Sequence, residues 1–459
     1  MNLVWQRFTL SQVTLSQWQG SSYLHSFLVG RLHSWRQSSW LMHWADVLAA
    51  LLVSLLLGLA PFVSHELVFV LLVACAGFWL LLTLSDEVGV GLTPIHLLVM
   101  LYWGIATVAT ALSPVKMAAF KGWVELTLYL LLFALCARVL RSPRLRAWII
   151  TLYLHVALIV SVYGLRQWFF GAAALATWVD PQSSMSKTTR VYSYLGNPNL
   201  LAGYLLPAVT LSLVAVFAWR GWGPKTLAST MFIVNTACLV LTFSRGGWIG
   251  LLVSILALLV LLRYWWGIHL PPFWRTWSLT ILLGSLSLVL LLAVVFVEPV
   301  HERIFSMFAG RGDSSNNFRI NVWAAVREMI RDHPLLGIGP GNTAFNKIYP
   351  LYQRSRYSAL SAYSILPEIA VETGLIGLTC FVWLLIVTSN QAVLQMLKLR
   401  HLGTREGFWL VGATATLLGM LAHNTFDTVW YRPEVNTIWW LMVALIASYY
   451  TTLTPDQSR

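Results

Sequence analysis

The sequence predicts an all-α integral membrane protein with about twelve transmembrane helices and one large helical loop. The chain has 459 residues, of which 58% are hydrophobic and only 10% are charged. Its mean hydropathy is +0.70, and the apolar residues form long runs separated by short polar stretches. Soluble globular domains average about 25% charged residues, so this composition excludes an ordinary water-soluble domain.

Twelve apolar segments approach the roughly 20 residues that a helix needs to cross the hydrocarbon core of a bilayer. Tryptophans cluster near the ends of these segments, as is typical of residues at a membrane interface. The predicted segments are 44–60, 66–84, 94–112, 120–138, 147–168, 199–219, 226–243, 246–264, 277–297, 365–388, 408–427 and 435–451.

Lysine and arginine in the short loops predict the orientation of the helices. With the N-terminus inside, most basic loops fall on the inner side, as the positive-inside rule requires. Lys116 and Lys121 fall outside but are outnumbered. An even number of crossings returns the C-terminus to the inner side. We therefore expect a multi-pass protein of the bacterial plasma membrane with both termini in the cytoplasm.

This arrangement divides the chain into five parts. Residues 1–42 are predicted to be a retained cytoplasmic or interfacial leader, because they contain scattered tryptophans and lack the pattern of a cleaved signal. Residues 43–297 hold helices one to nine, 298–364 form a large periplasmic loop, 365–452 hold the last three helices, and 453–459 are a cytoplasmic tail.

The charged segment, residues 298–364, is the only long part of the chain that is too polar for lipid. Its bias towards arginine predicts an anion-binding face. Apolar residues at helical spacing after Asn316 and Asn317 predict an amphipathic helix over about 318–331, ended by His333 and Pro334. The glycines of 337–341 superficially resemble a phosphate loop, but without a preceding strand they are better explained as a turn.

The net charge of +13 is spread between the apolar runs rather than gathered in one patch. It therefore favours partners such as anionic lipid or small anionic ligands and argues against nucleic acid. The four cysteines lie inside apolar segments without the spacing of metal ligands. We accordingly expect no disulfide framework, no metal and no cofactor.

Arg245 lies between two apolar runs and is followed by two glycines. An arginine at the outer mouth of such a helical hairpin is suited to bind a phosphate or carboxylate through two hydrogen bonds. The alternative, a helix-end arginine that extends to the interface, has equal weight from the sequence alone. Arg319 follows the predicted cap of the amphipathic helix, where charge and free amides can act on an anion, although a solvated arginine is the simpler interpretation.

His423 and Asp427 are four residues apart and share one face of the eleventh predicted helix. A histidine oriented by a carboxylate is the usual construction of a general base. Pairs of this kind at helix ends are more often structural, so both interpretations stay open.

Several motifs together resemble the O-antigen ligase and polymerase superfamily of bacterial envelope proteins. They are the sequences SYLGNPNLLA at 193–202, TFSRGGW at 242–248, PLLGIGPGN at 334–342 and ETGLIG at 372–377. Within that superfamily, DSSNNFRINVW at 313–323 and FDTVWYRPE at 426–434 are most similar to a cyanobacterial branch described as inorganic-carbon (bicarbonate) transporters. The resemblance covers residues 44 to 450.

The resemblance implies a helical membrane fold whose large loop covers a cavity open to the periplasm. It also implies that Arg245 contacts a lipid diphosphate, in the position of the Ser-Arg-Gly-Gly arginine of the ligases. The histidine that the ligases place eleven residues before the glycine at 374 is replaced here by Tyr363. Tyrosine, with an ordinary pKa of about 10, is a poor general base at neutral pH, and His423 is the nearest substitute.

Two classes of function follow. The first is transport or accumulation of bicarbonate, in which Arg245, Arg190 and Arg319 attract the anion and Asn197 and Asn199 complete the ligand site. The second is a glycosyltransferase-like ligase or polymerase that uses a polyprenyl-diphosphate glycan, with His423, Asp427 and Tyr363 as candidate catalytic residues. Whether the protein is an enzyme at all is left open, and a structural membrane subunit with protein partners is a third reading.

Overall fold

The computed structural model describes residues 3–11, 29–86, 91–173, 189–267, 270–427 and 429–450. These residues form seventeen α-helices and no strand, so the all-α prediction is confirmed. Ten of the described helices are long and apolar enough to cross a membrane, and they match the first ten predicted segments. The predicted tail, 453–459, lies outside the described residues.

Within the described part of the chain, two short helices, α1 (Leu3–Phe8) and α2 (His33–Ser38), precede the first long helix. Nine long helices follow in the region predicted to hold nine crossings. They are α3 (Ala45–Leu59), α4 (His65–Ser85), α5 (Pro94–Leu112), α6 (Lys116–Val139), α7 (Pro143–Phe170), α8 (Pro198–Ala218), α9 (Trp222–Leu241), α10 (Arg245–Trp266) and α11 (Pro272–Phe296).

The charged segment contains three helices, α12 (Glu298–Phe308), α13 (Ser314–Asp332) and α14 (Asn342–Ile348). The predicted amphipathic helix is α13, and its buried side chains include Val322, Val326 and Met329 from the predicted apolar stripe. Its start was predicted wrongly. Because the side chain of Asp313 accepts a hydrogen bond from the amide of Asn316, the helix begins one turn before Asn317.

The chain ends with α15 (Ile365–Leu402), α16 (Gly407–Phe426) and α17 (Pro433–Ser448). The first is longer than the predicted segment 365–388, because the helix continues through the basic residues that follow. The other two are shorter or more polar than the ten candidate spans, yet most of their residues are buried. They pack against the core helices, α16 on α8 and α10 and α17 on α6.

α15 is interrupted near its start, at Gly374, where φ is +69° and ψ is −173°. The turn that follows α13 fills this break: the amide of Ile338 donates to the carbonyl of Val371 at 2.8 Å, and the amide of Leu375 donates to the carbonyl of Pro334 at 2.8 Å. The glycine-rich turn, residues 337–341, therefore connects α13 to α14 and also forms backbone hydrogen bonds to the interrupted part of α15. Its amides at 338 and 339 are engaged with α15 and are not available to a phosphate.

Candidate functional site

Arg245 is positioned by the sharp junction between α9 and α10. Ser244 caps α10 by accepting a hydrogen bond from the amide of Gly247, so Arg245 is the first residue of the helix. Its buried side chain meets the charged segment, with Nη2 2.9 Å from Oδ1 of Asp313. Nη1 donates to Oδ1 of Asn316 at 3.0 Å and to the carbonyl of Ser306 at 3.2 Å. Arg245 therefore holds the charged segment against the start of α10.

Arg319 lies two turns into α13, and not directly after its cap as predicted, because Asp313 is the cap. Its Nη2 is 3.4 Å from Oδ2 of Asp427, at the C-terminal end of α16. Its Nη1 donates to the hydroxyl of Ser315 at 3.1 Å, and its buried Nε has no hydrogen-bond partner among the described residues. This arginine thus ties the charged segment to the end of α16.

Arg190 lies beside the start of α8, close to both predicted asparagines. Its Nη2 donates to Oδ1 of Asn199 at 3.2 Å, and its Nε donates to the carbonyl of Thr242 at 3.0 Å. Asn197 caps α8, since its side chain accepts from the amide of Asn199. The structure therefore brings Arg190 and the two asparagines to the α9–α10 junction.

Arg303, on α12, is a residue that sequence reasoning missed. Its Nε donates to the carbonyl of Phe243 at 2.7 Å, two residues before Arg245. No sequence signal separates it from the other arginines of the charged segment. Its position depends on a fold that brings α12 onto the α9–α10 junction.

We define the arginine cluster as Arg190, Arg245, Arg303 and Arg319, whose positive charges act on one another. The carboxylates that act on them are Asp313 and Asp427. Burial, with neighbouring Arg190 and Arg245, lowers the pKa of Arg303 to about 8, and burial lowers the pKa of Arg190 to about 10. Since arginine keeps its proton in proteins, these shifts indicate that burying the guanidinium groups costs free energy, to which repulsion between the arginines adds, and a bound anion would offset part of this cost.

His423 lies directly behind the first turn of α10. A Cβ atom added to Gly246 would be 2.9 Å from Cδ2 of the imidazole, and one added to Gly203 would be 3.1 Å from Cε1. Both ring nitrogens are buried and have no hydrogen-bond partner among the described residues. The predicted orientation of His423 by the carboxylate of Asp427 is absent from this geometry, because that carboxylate pairs with Arg319.

Tyr363 lies just before α15, and its ring packs edge to face against Phe318 with 5.4 Å between centroids. Burial, together with the negative charge of Asp427, raises the pKa of its phenol to about 12. The same phenol is influenced by the positive charge of Arg319. The residue in the place of the ligase histidine therefore borders the arginine cluster and keeps its proton at neutral pH.

All eight residues predicted for the site are thus near one junction, with His423 behind it. Among the described residues, no group of three or more histidine, cysteine, aspartate or glutamate side chains is arranged to hold a metal ion. The arrangement can bind an anion bearing several oxygens and stabilise a negative charge that develops on it.

Fold and site together define a polytopic helical membrane protein that gathers arginines beneath a charged segment at one end of its helices. Residues 230–382 match the family model described as O-antigen ligase, a region that holds Arg245, Arg303 and Arg319 and about a third of the chain. The match supports a place in the O-antigen ligase-like superfamily. No curated protein matches the chain.

Proposed function

We propose that the protein binds a polyprenyl-diphosphate-linked glycan at the arginine cluster and transfers the glycan to an acceptor. In this proposal the site faces the periplasm, the helices span the plasma membrane, and both termini are cytoplasmic. The observation that carries the proposal is the gathering of four arginines against two aspartates at the α9–α10 junction, with three of the arginines inside the region matched by the O-antigen ligase model.

The arginines supply the electrostatic part of the reaction. An acceptor hydroxyl forms a bond to the anomeric carbon of the donor, the bond from that carbon to the diphosphate oxygen breaks, and the diphosphate leaves with its negative charge. Guanidinium groups are suited to this leaving group, because each offers paired N–H donors to phosphate oxygens. Fixed positive charges where negative charge develops lower the barrier.

The hydroxyl proton needs an acceptor, and three residues are candidates. Asp427 is engaged by Arg319, and Tyr363 keeps its own proton at neutral pH. His423 is left as the proposed base, because neither of its ring nitrogens is engaged by a described residue. In this proposal Asp427 is a positioning residue that holds Arg319.

The test uses the full chain in lipid nanodiscs with a polyprenyl-diphosphate oligosaccharide. Arg245→Ala and Arg303→Ala should each weaken donor binding at least tenfold and reduce transfer of the glycan. Arg331→Ala is the matched control, because Arg331 is an exposed arginine on α13. If the two cluster variants bind the donor as tightly as this control, the proposal is wrong.

Bicarbonate transport remains a second candidate, favoured by one observation. Tyr363 stands where the ligases have histidine, and the rise in its pKa removes a neutral-pH base from that place. A small anion bound at the same arginines would need no base. Bicarbonate uptake by proteoliposomes, compared between the wild type and Arg245→Ala, separates this candidate from glycan transfer: an absence of uptake in sealed vesicles removes it.

A further inference from the structure

A cavity separate from the arginine cluster lies between α4, α6, α15, α17 and the glycine-rich turn. Its volume is about 280 Å³, at the small end for a ligand pocket. Aromatic rings form much of its wall, which contains none of the four arginines of the cluster. These rings are Phe69, Tyr102, Tyr129, Phe381, Trp430, Tyr431 and Trp440.

Three carboxylates line this cavity: Glu125 from α6, and Glu368 and Glu372 from the first turns of α15. One oxygen of Glu372 accepts a hydrogen bond from the amide of Gly341 at 2.9 Å. Glu125 and Glu372 are close enough for their negative charges to repel each other. Among the described residues neither carboxylate lies within ion-pair distance of a basic side chain, although the positive charge of Lys121 acts on Glu125 from further away.

The basic groups in the wall do not offset this charge. Arg432 stacks over the ring of Tyr431 with 5.2 Å to its centroid. His65 is 3.2 Å from a fourth carboxylate, that of Glu434. The wall therefore holds three glutamates against one arginine and a histidine that is engaged by Glu434, so acidic side chains outnumber basic ones.

Two further lining residues have polar atoms that independently indicate a ligand. Oδ1 of Asn436 and Nε1 of Trp440 are buried, and within the described part of the chain neither has a hydrogen-bond partner. Their residues are 5% and 1% exposed, so bulk water does not satisfy them. A buried polar group without a hydrogen-bond partner costs about 1–3 kcal/mol of stability. A cavity wall with one buried acceptor and one buried donor lacking partners is therefore suited to a ligand that donates to the first and accepts from the second.

We propose that this cavity binds a small organic ammonium ion that also carries a hydroxyl group. The ammonium pairs with Glu125 and Glu372 and lies against the aromatic rings, which attract cations through their π-faces. The hydroxyl accepts from Nε1 of Trp440 and donates to Oδ1 of Asn436. An amino sugar and a phospholipid ethanolamine headgroup share this chemistry. The site does not depend on the proposed glycan transfer, because it shares none of the cluster's arginines.

The probe experiment uses the full chain in nanodiscs made of phosphatidylglycerol alone, so that no ammonium group of a lipid competes. Calorimetric titration with glucosamine, ethanolamine and glucose gives three affinities. We expect glucosamine or ethanolamine to bind at least tenfold more tightly than glucose, which has the hydroxyls without the ammonium. Preference for glucosamine indicates a sugar as the natural source, and preference for ethanolamine indicates a lipid headgroup.

Variants locate the binding. Glu372→Gln and Glu125→Gln, which keep the shape of the side chain, should each weaken amine binding at least tenfold, while Glu298→Gln, an exposed glutamate of the charged segment, should not. Arg245→Ala should leave amine binding unchanged, which separates this site from the proposed donor site. The proposal is overturned if neither amine binds, if glucose binds as tightly as the amines, or if both cavity variants bind like the wild type. The wild-type comparison of amine with glucose decides the matter even if a variant fails to fold.

Discussion

Nη2 of Arg245 lies 2.9 Å from Oδ1 of Asp313, and the same oxygen accepts the amide of Asn316 at 2.8 Å. One carboxylate therefore caps α13 and holds the arginine that begins α10. Asp313 also competes with any anion for that arginine. Substitutions at Asp313 can therefore separate the effect of its negative charge on Arg245 from its effect as the cap of α13.

Asp313→Asn should tighten binding of inorganic pyrophosphate several-fold, because asparagine still caps a helix but no longer neutralises Arg245. Asp313→Ala should also lose the cap and about 1 kcal/mol of unfolding free energy. Calorimetric titration and thermal unfolding in nanodiscs measure the two effects. Asp332→Asn, at the far end of α13, is the control. Weaker pyrophosphate binding by Asp313→Asn would contradict the competition between carboxylate and ligand.

The close contact between α10 and His423 gives a second prediction. Gly246→Ala places a methyl group 2.9 Å from Cδ2 of the imidazole and 3.2 Å from the carbonyl of the same residue. Because this interface is packed on both sides, the variant should lose about 1–3 kcal/mol of unfolding free energy and lower glycan transfer. Gly284→Ala, where nothing lies within 4 Å, should be neutral or slightly stabilising. Equal stability of the two variants would show that the histidine is free to move.

The broken helix gives a third prediction. Gly374 has a φ of +69°, and a Cβ there would be 2.0 Å from the carbonyl oxygen of Leu335. Gly374→Ala should therefore displace the glycine-rich turn and make the charged segment more susceptible to limited proteolysis. Gly58→Ala, within α3 and in open space, is the matched control. If the cleavage rates of the two variants agree, the turn does not depend on this break.

The sequence predicted much of this architecture because composition and periodicity act locally. The apolar runs predicted ten of the long helices, and the apolar residues at helical spacing, including Val322 and Met329, predicted α13. The position of Arg245 between two runs indicated a short junction. Arg303 and the pairing of Arg319 with Asp427 escaped prediction, because they join segments that are far apart in the chain. The break at Gly374 was not predicted for a different reason. The backbone groups that the break leaves without helical partners form hydrogen bonds with the turn after α13, which precedes α15 by many residues.

The acidic cavity shows the same dependence on tertiary structure. Glu125 and Glu372 belong to separate apolar runs, and each in isolation is explained by a nearby lysine or a helix end. The turn at Gly341 brings them to one cavity, because it lies against Gly122 of α6 on one side and donates a hydrogen bond to Glu372 of α15 on the other. The periodicity of the sequence gives no indication that two glutamates from different helices line the same cavity.

The last prediction concerns alkaline pH and Tyr363, whose pKa is raised to about 12 by burial first and then by the charge of Asp427. In the unfolded chain the phenol titrates near 10, so folding favours its neutral form. Its contribution to stability is complete below about pH 10 and is lost as pH rises through 12. Phenylalanine at this position cannot titrate. As the pH rises from 10 to 12, the unfolding free energy of the wild type should therefore fall by about 2–3 kcal/mol more than that of Tyr363→Phe.

Chemical unfolding in nanodiscs at pH 9, 10, 11 and 12 measures this difference, and other tyrosines cancel because both proteins contain them. Tyr194→Phe, at an exposed ring, is the control and should follow the wild type. Below pH 9 the rates of glycan transfer by the wild type and Tyr363→Phe should share one pH dependence, since the phenol keeps its proton throughout. An alkaline rate limb near pH 8 that disappears in Tyr363→Phe would instead identify Tyr363 as the base and remove that role from His423.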